Sequence, residues 1–261
     1  MAKVIAIANN KGGTGKTTTC ASLGVGLANR GKKVLLIDAD AQGSLSASMG
    51  IGTPDELDIT LASIMGAIIS DEQYDRNYGI IHHSEGVDLM PGNIELSGIE
   101  LNLVNIIGRE TIMNEYIKKV SPIYDYILID CSPSLGMITL NAFSCADSIL
   151  IPVQAAYLPV KGLEQLLKII GKIKRQVNSK VEIEGILMTM VDARTNYAKD
   201  IYELVKKIYG KNIKIYENYI PMSVRAAETS LQGKTIFVHD AKGKVATAYA
   251  LLAEEVDSYE R

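Results

Sequence analysis

Residues 9–19 read Asn-Asn-Lys-Gly-Gly-Thr-Gly-Lys-Thr-Thr-Thr and follow directly on the apolar run Val4-Ile5-Ala6-Ile7-Ala8. A buried strand, a glycine-rich turn and a helix in that order make a phosphate-binding loop. The loop fixes the ligand class before anything else is known. Gly12, Gly13 and Gly15 carry no Cβ, so the backbone can curl and aim successive N–H groups at one anion. Lys16 supplies charge for β- and γ-phosphates, and the Thr17 hydroxyl suits Mg²⁺. Thr14 and Thr18 complete a cradle that runs from Lys11 to Thr18. The helix expected over 16–29 points its positive end at the same phosphates.

The rest of the chain reads as an α/β protein. Strands are expected at 3–8, 33–38, 87–90, 126–130, 148–153, 183–190 and 213–216, mostly as continuous apolar runs. Strands of that kind are buried on both faces, as in a parallel sheet covered by helices. Helices are expected near 16–29, 97–119, 135–144, 160–177, 196–209 and 243–258. The pattern predicts a doubly wound, mostly parallel sheet in a single domain spanning 1–261, with ligands at the carboxyl ends of the strands. Residues 44–86 have too weak a periodicity to read.

A second apolar run, Tyr126-Ile127-Leu128-Ile129, ends in Asp130. A buried strand ending in aspartate delivers a carboxylate to the phosphate side of the sheet, where it can hold Mg²⁺ through a water. The run Val34-Leu35-Leu36-Ile37 likewise leads into Asp38 and Asp40.

Composition narrows the class. Apolar residues make up 47% of the chain, enough for a sizeable core. The net charge is −3. Acids outnumber bases in residues 1–160, and bases outnumber acids in 161–261. The C-terminal part can therefore present a basic face, although an ordinary solvated surface fits the same excess. Cys20, Cys131 and Cys145 have no C-x-x-C spacing, which argues against a disulfide framework, a zinc site or an iron–sulfur centre. His82, His83 and His239 lack ligand spacing and read as surface or loop residues. The N-terminus enters a strand at once, so no signal peptide is expected, and no apolar run is long enough to span a membrane.

The loop departs from the general pattern. Asn10 stands where the first glycine is usual, and Lys11 adds a second lysine, giving K-G-G-x-G-K-T. This deviant loop resembles that of the ParA/MinD group of P-loop ATPases. Asp38-Ala39-Asp40-Ala41-Gln42-Gly43 resembles the group's DxDPQG, with Ala41 for proline. Tyr124 to Gly136 resembles YDYILID-x-PPSLG, with Ser132 for the first proline. Ile151-Pro152-Val153-Gln154, Met190 to Thr195 and Ile220 to Glu228 match further segments in order, with Ala156 for a frequent glutamate. Over this extent the chain resembles a ParA/Soj-type partition ATPase.

That resemblance implies roles. Lys11 would reach across a dimer to the partner's nucleotide, Asp40 would orient the attacking water, and Asp38 would sit near a metal served by Thr17 and Asp130. Pro221 would lie near the adenine. ATP and Mg²⁺ would drive two copies into a homodimer that binds DNA without reading sequence, and a ParB-like centromere-binding protein would stimulate hydrolysis. The protein would be cytoplasmic and nucleoid-associated. Arg225 matches the family's DNA-linked arginine. Lys234, Lys242 and Lys244 are candidates to join it, and read equally as solvated surface. Met222 stands where the family often has another arginine.

Two alternatives share the scaffold. A MinD-like membrane ATPase would need a basic amphipathic C-terminal helix. Here Val245, Ala248, Leu252 and Val256 form an apolar stripe, but Glu254, Glu255, Asp257 and Glu260 would be repelled by anionic lipid. A packed helix and no membrane binding are therefore expected. The other alternative is an ATP-dependent amidating synthetase.

Overall fold

A computed structural model describes residues 1–258, and for 157–161 the backbone alone. In chain order the described residues form β1 (Lys3–Ile7), α1 (Lys16–Ala28), β2 (Val34–Ala39), α2 (Ser44–Ser48), α3 (Leu61–Ile69), β3 (Ile81–His82), β4 (Asp88–Met90), α4 (Glu95–Asn102), α5 (Ile112–Val120), β5 (Tyr126–Cys131), α6 (Met137–Cys145), β6 (Ser148–Gln154), α7 (Tyr157–Gln176), β7 (Glu182–Thr189), α8 (Asn196–Tyr209), α9 (Val224–Gln232), α10 (Ile236–His239) and α11 (Lys244–Ser258).

The strands join in one sheet of order β3-β4-β2-β5-β1-β6-β7. Every pairing is parallel except β3 with β4. Alternation along each strand sends side chains to two cores. Val4, Ala6, Leu35, Ile37, Ile127 and Ile129 face a core shared with α3, α5, α6 and α7. Ile5, Ile7, Leu36 and Leu128 face a second core shared with α1 and α11. Burial on both faces explains the unbroken apolar runs in the sequence. β1 lies between β5 and β6, so the loop after it opens at the carboxyl edge, beside the ends of β2 and β5.

The C-terminal stripe folds as expected: Val245, Ala248, Leu252 and Val256 are buried in α11. Glu260, part of the acidic tail, lies outside the described residues. No helix among the described residues is long and apolar enough to cross a membrane. The three cysteines are buried and free.

Several expectations need correction. The helix expected over 97–119 is two helices, α4 and α5. Between them Gly108 takes a left-handed φ of 71°, and Thr111 bonds back to its carbonyl through both N–H and hydroxyl, each at 2.8 Å. Residues 213–216 do not form a ladder strand. They make an isolated parallel bridge, Ile186 to Ile215, beside the β7 irregularity at Gly185. His239 is no loose surface residue: it ends α10, with its ring held by Gln232 and Glu228 at 3.0 Å each.

Candidate functional site

The turn after β1 is built from short-range bonds and two left-handed glycines, Gly13 (φ 69°) and Gly15 (φ 83°). A Cβ at Gly13 would meet open space, so the backbone conformation, and not packing, demands glycine there. Asn9 is buried and staples the turn to β6. Its Nδ2 donates to the Pro152 carbonyl at 2.7 Å, and its Oδ1 accepts the Lys11 N–H at 3.0 Å. Thr189, at the end of β7, donates its hydroxyl to the Thr14 carbonyl at 2.8 Å. Gly12 and Gly13 remain exposed, and Thr18 is half-buried in the first turn of α1.

Lys16 is buried, and its ammonium donates to the Lys11 carbonyl at 3.2 Å. Burial pulls its pKa down, and the nearby Asp130, Cys131 and Asp40 oppose that pull. The Lys11 side chain leans on its own α7: its Cε lies 2.8 Å from where a Gly162 Cβ would stand. Within one protomer, then, the two lysines differ, one folded into the loop and one lying along a helix.

Two carboxylates stand side by side under the loop. Asp38 and Asp130 are register partners on β2 and β5, and both are buried. The Thr17 hydroxyl donates to Asp130 Oδ2 at 2.7 Å. Oδ1 of Asp130 is buried with no hydrogen-bond partner among the described residues. Burial and the neighbouring Asp38 push the Asp130 pKa well up, against Thr17 and Lys16. An orphaned carboxylate oxygen beside a threonine hydroxyl is a hard, oxygen-only donor set that fits a hydrated magnesium ion.

Asp38 faces elsewhere. Its Oδ2 accepts both the N–H and the hydroxyl of Ser46 at 2.7 Å, and its Oδ1 accepts the Asp40 N–H at 3.3 Å. Burial pushes its pKa up to about 7 against those donors. Asp40 is half-exposed, close enough to act electrostatically on Lys16 and Asp130. The turn after it closes without proline at Ala41. Asp40 Oδ1 accepts the Gln42 N–H at 3.1 Å, and the Asp40 carbonyl accepts the Gly43 N–H at 2.9 Å. Ser132 serves similarly, its hydroxyl accepting the Ser134 N–H at 3.2 Å.

An open cavity of about 810 Å³ has Val191, Asp192, Pro221, Met222, Lys242 and Lys244 in its wall. Thr189 bonds to the loop at Thr14, and Val191 lies two residues on, so the cavity and the loop share one strand end. The structure thus brings Pro221 together with Lys242 and Lys244. Arg225 and Lys234 are exposed near opposite ends of α9, with Lys234 beyond the left-handed Gly233. Val224, next to Arg225 at the start of α9, lies in the same cavity wall as Lys242 and Lys244.

Sequence reasoning missed Asn9, Ser46 and Thr189. Thr189 carries a signal, a polar residue closing an apolar run. Ser46 carries none, because its partner Asp38 is reached only through the fold.

A family model described as "AAA domain" matches residues 2–183. The chain is 41% identical over 258 residues to the sporulation initiation inhibitor protein Soj of Bacillus subtilis, covering 98% of each. It is 37% identical over 256 residues to the chromosome partitioning protein ParA of Myxococcus xanthus, covering 97% of this chain and 87% of that one. Among solved structures, cobyrinic acid a,c-diamide synthase from Mycobacterium smegmatis with bound ADP and magnesium superposes with a TM-score of 0.87. It is 31% identical, covering 99% of this chain and 95% of that one.

Proposed function

Because this chain belongs to the Soj/ParA family of P-loop partition ATPases, we propose that it is an Mg²⁺-dependent ATPase whose ATP-bound homodimer binds DNA nonspecifically and acts in chromosome or plasmid partitioning. The observation that carries this reading is the Lys16–Thr17–Asp130 group, with its orphaned carboxylate oxygen, beneath a loop bearing a second lysine.

Lys16 and the loop amides bind the phosphates. Thr17 and Asp130 would hold magnesium, which when bound neutralises charge on the phosphate oxygens. Asp38 supports this group from behind. Asp40 orients the attacking water and accepts its proton. Lys11 leaves its place along α7 and stabilises charge on the partner's nucleotide. Pro221 flanks the base. Arg225, with Lys234, Lys242 and Lys244, neutralises DNA phosphates. A ParB-like partner accelerates hydrolysis, and the ATP-bound form is cytoplasmic, at the nucleoid.

A second reading, an ATP-dependent amidating synthetase, is favoured by the name of the M. smegmatis structure. DNA separates the two. With ATP the protein should retain DNA at low salt and release it steeply as salt rises, through counterion uptake. ADP or no nucleotide should give little retention, and Lys16→Ala should abolish the ATP effect. Equal DNA binding in all three nucleotide states, or by the Lys16→Ala protein, would rule the partition reading out.

A further inference from the structure

We infer that Ser46 is a positioning residue for nucleotide hydrolysis, setting the Asp40 loop through Asp38. The inference rests on the ATPase reading above. Four hydrogen bonds link Gly92, Ser46, Asp38 and Asp40 in sequence, two of them running from Ser46 to one oxygen. The Gly92 N–H donates to Ser46 Oγ at 3.1 Å, and the Ser46 hydroxyl and N–H both donate to Asp38 Oδ2 at 2.7 Å. The other Asp38 oxygen accepts the Asp40 N–H at 3.3 Å. One end of this relay is the β4 exit and the other is the main chain of Asp40.

The site is closed on every side. Asp38 and Ser46 are both fully buried. Gly92 packs so close that a Cβ there would run into the Asp38 carbonyl oxygen. No water can replace the Ser46 hydroxyl without moving that backbone. The hydroxyl has one hydrogen, for which the carboxylate at 2.7 Å outcompetes the Gly92 carbonyl at 3.4 Å, and a lone pair accepts the Gly92 N–H. Asp38 therefore has one rotamer, and the turn that carries Asp40 has one starting point. Asp40 itself is half-exposed, and among the described residues its carboxylate accepts one hydrogen bond, from the Gln42 N–H within its own turn. Its aim depends on where that turn begins. A displacement of about 1 Å in such a group can slow a reaction by roughly 100-fold.

The test is steady-state ATP hydrolysis by the full chain with Mg²⁺. Ser46→Ala should lower kcat by about 10- to 100-fold with KM for ATP changed less than about threefold, since Lys16, Thr17 and the loop amides are untouched. The double variant Asp38→Asn/Ser46→Ala should be no slower than Asp38→Asn, because Ser46 acts only through that carboxylate. Should Ser46→Ala fail to fold, Ser46→Cys keeps the backbone N–H and replaces the hydroxyl with a larger, weaker donor, and carries the same expectation. Unchanged kcat overturns the inference. So does a loss confined to KM or thermal stability, and so does additive slowing in the double variant. Failure of the wild-type chain to hydrolyse ATP would instead sink the ATPase reading itself.

Discussion

The hydroxyl of Thr17 and Oδ2 of Asp130 are 2.7 Å apart, joining the first turn of α1 to the end of β5 across 113 residues of sequence. This bond turns the helix start and the strand end into one oxygen-lined corner, with Asp130 Oδ1 still unsatisfied. Removing the hydroxyl should therefore cut the metal's share of nucleotide binding. Thr17→Ala is expected to weaken ADP binding at least about tenfold in Mg²⁺, the size of effect that loss of a metal contact brings. In EDTA the same variant and wild type should bind alike. Titration calorimetry in both buffers measures the difference.

Asp38 gives a pH signature. Unfolded, its carboxyl titrates near 3.8, and burial raises it in the fold to about 7. Between those values the folded state keeps a proton that the unfolded state has lost. This carboxyl's contribution to stability thus falls as pH rises from about 4 to 7, at up to about 1.4 kcal/mol per pH unit, and is level above. Asp38→Asn removes the effect. The Tm of that variant relative to wild type should therefore be higher at pH 8 than at pH 5. A pH-independent difference would show that Asp38 is ionised throughout.

Gly92 should tolerate no side chain. A Cβ there would overlap the Asp38 carbonyl oxygen and lie 3.2 Å from the Asp38 Cβ. Backbone cannot swing aside as a side-chain tip can, so Gly92→Ala should destabilise the protein by about 1–3 kcal/mol. Urea unfolding reads that loss directly. Gly52→Ala, where a Cβ would meet open space, is the matched control and should be near neutral.

Much of this architecture is legible in the sequence, because strands buried on both faces announce themselves as runs. β1, β2, β5 and β6 fall where Val4–Ala8, Val34–Ile37, Tyr126–Ile129 and Ser148–Val153 place them. α8 matches 196–209. Periodicity misled over 97–119, where apolar spacing continues through a break made by Gly108 and Thr111. It was silent over 44–86. There α2 spans only Ser44–Ser48, and α3 is apolar nearly all round, so neither shows a face. The phosphate loop is local and so readable. The Ser46–Asp38–Gly92 relay is not, since it joins residues from two separate strand exits. The meeting of Pro221, Lys242 and Lys244 in one cavity wall is likewise a property of the fold that charge counting cannot supply.

In the proposed cycle ATP holds two copies of this chain together, with Lys11 of each serving the other. Lys11 now lies along Gly162 of its own α7, so pairing must draw it out. The most direct measurement is sedimentation velocity on Asp40→Ala, which should retain ATP without turnover, alongside Asp40→Ala/Lys11→Ala. The single variant should be a stable dimer with ATP and Mg²⁺ and a monomer with ADP, and the double variant should be a monomer in every state. A monomer of Asp40→Ala at saturating ATP, or a double variant that dimerises as well as the single one, would contradict that cycle.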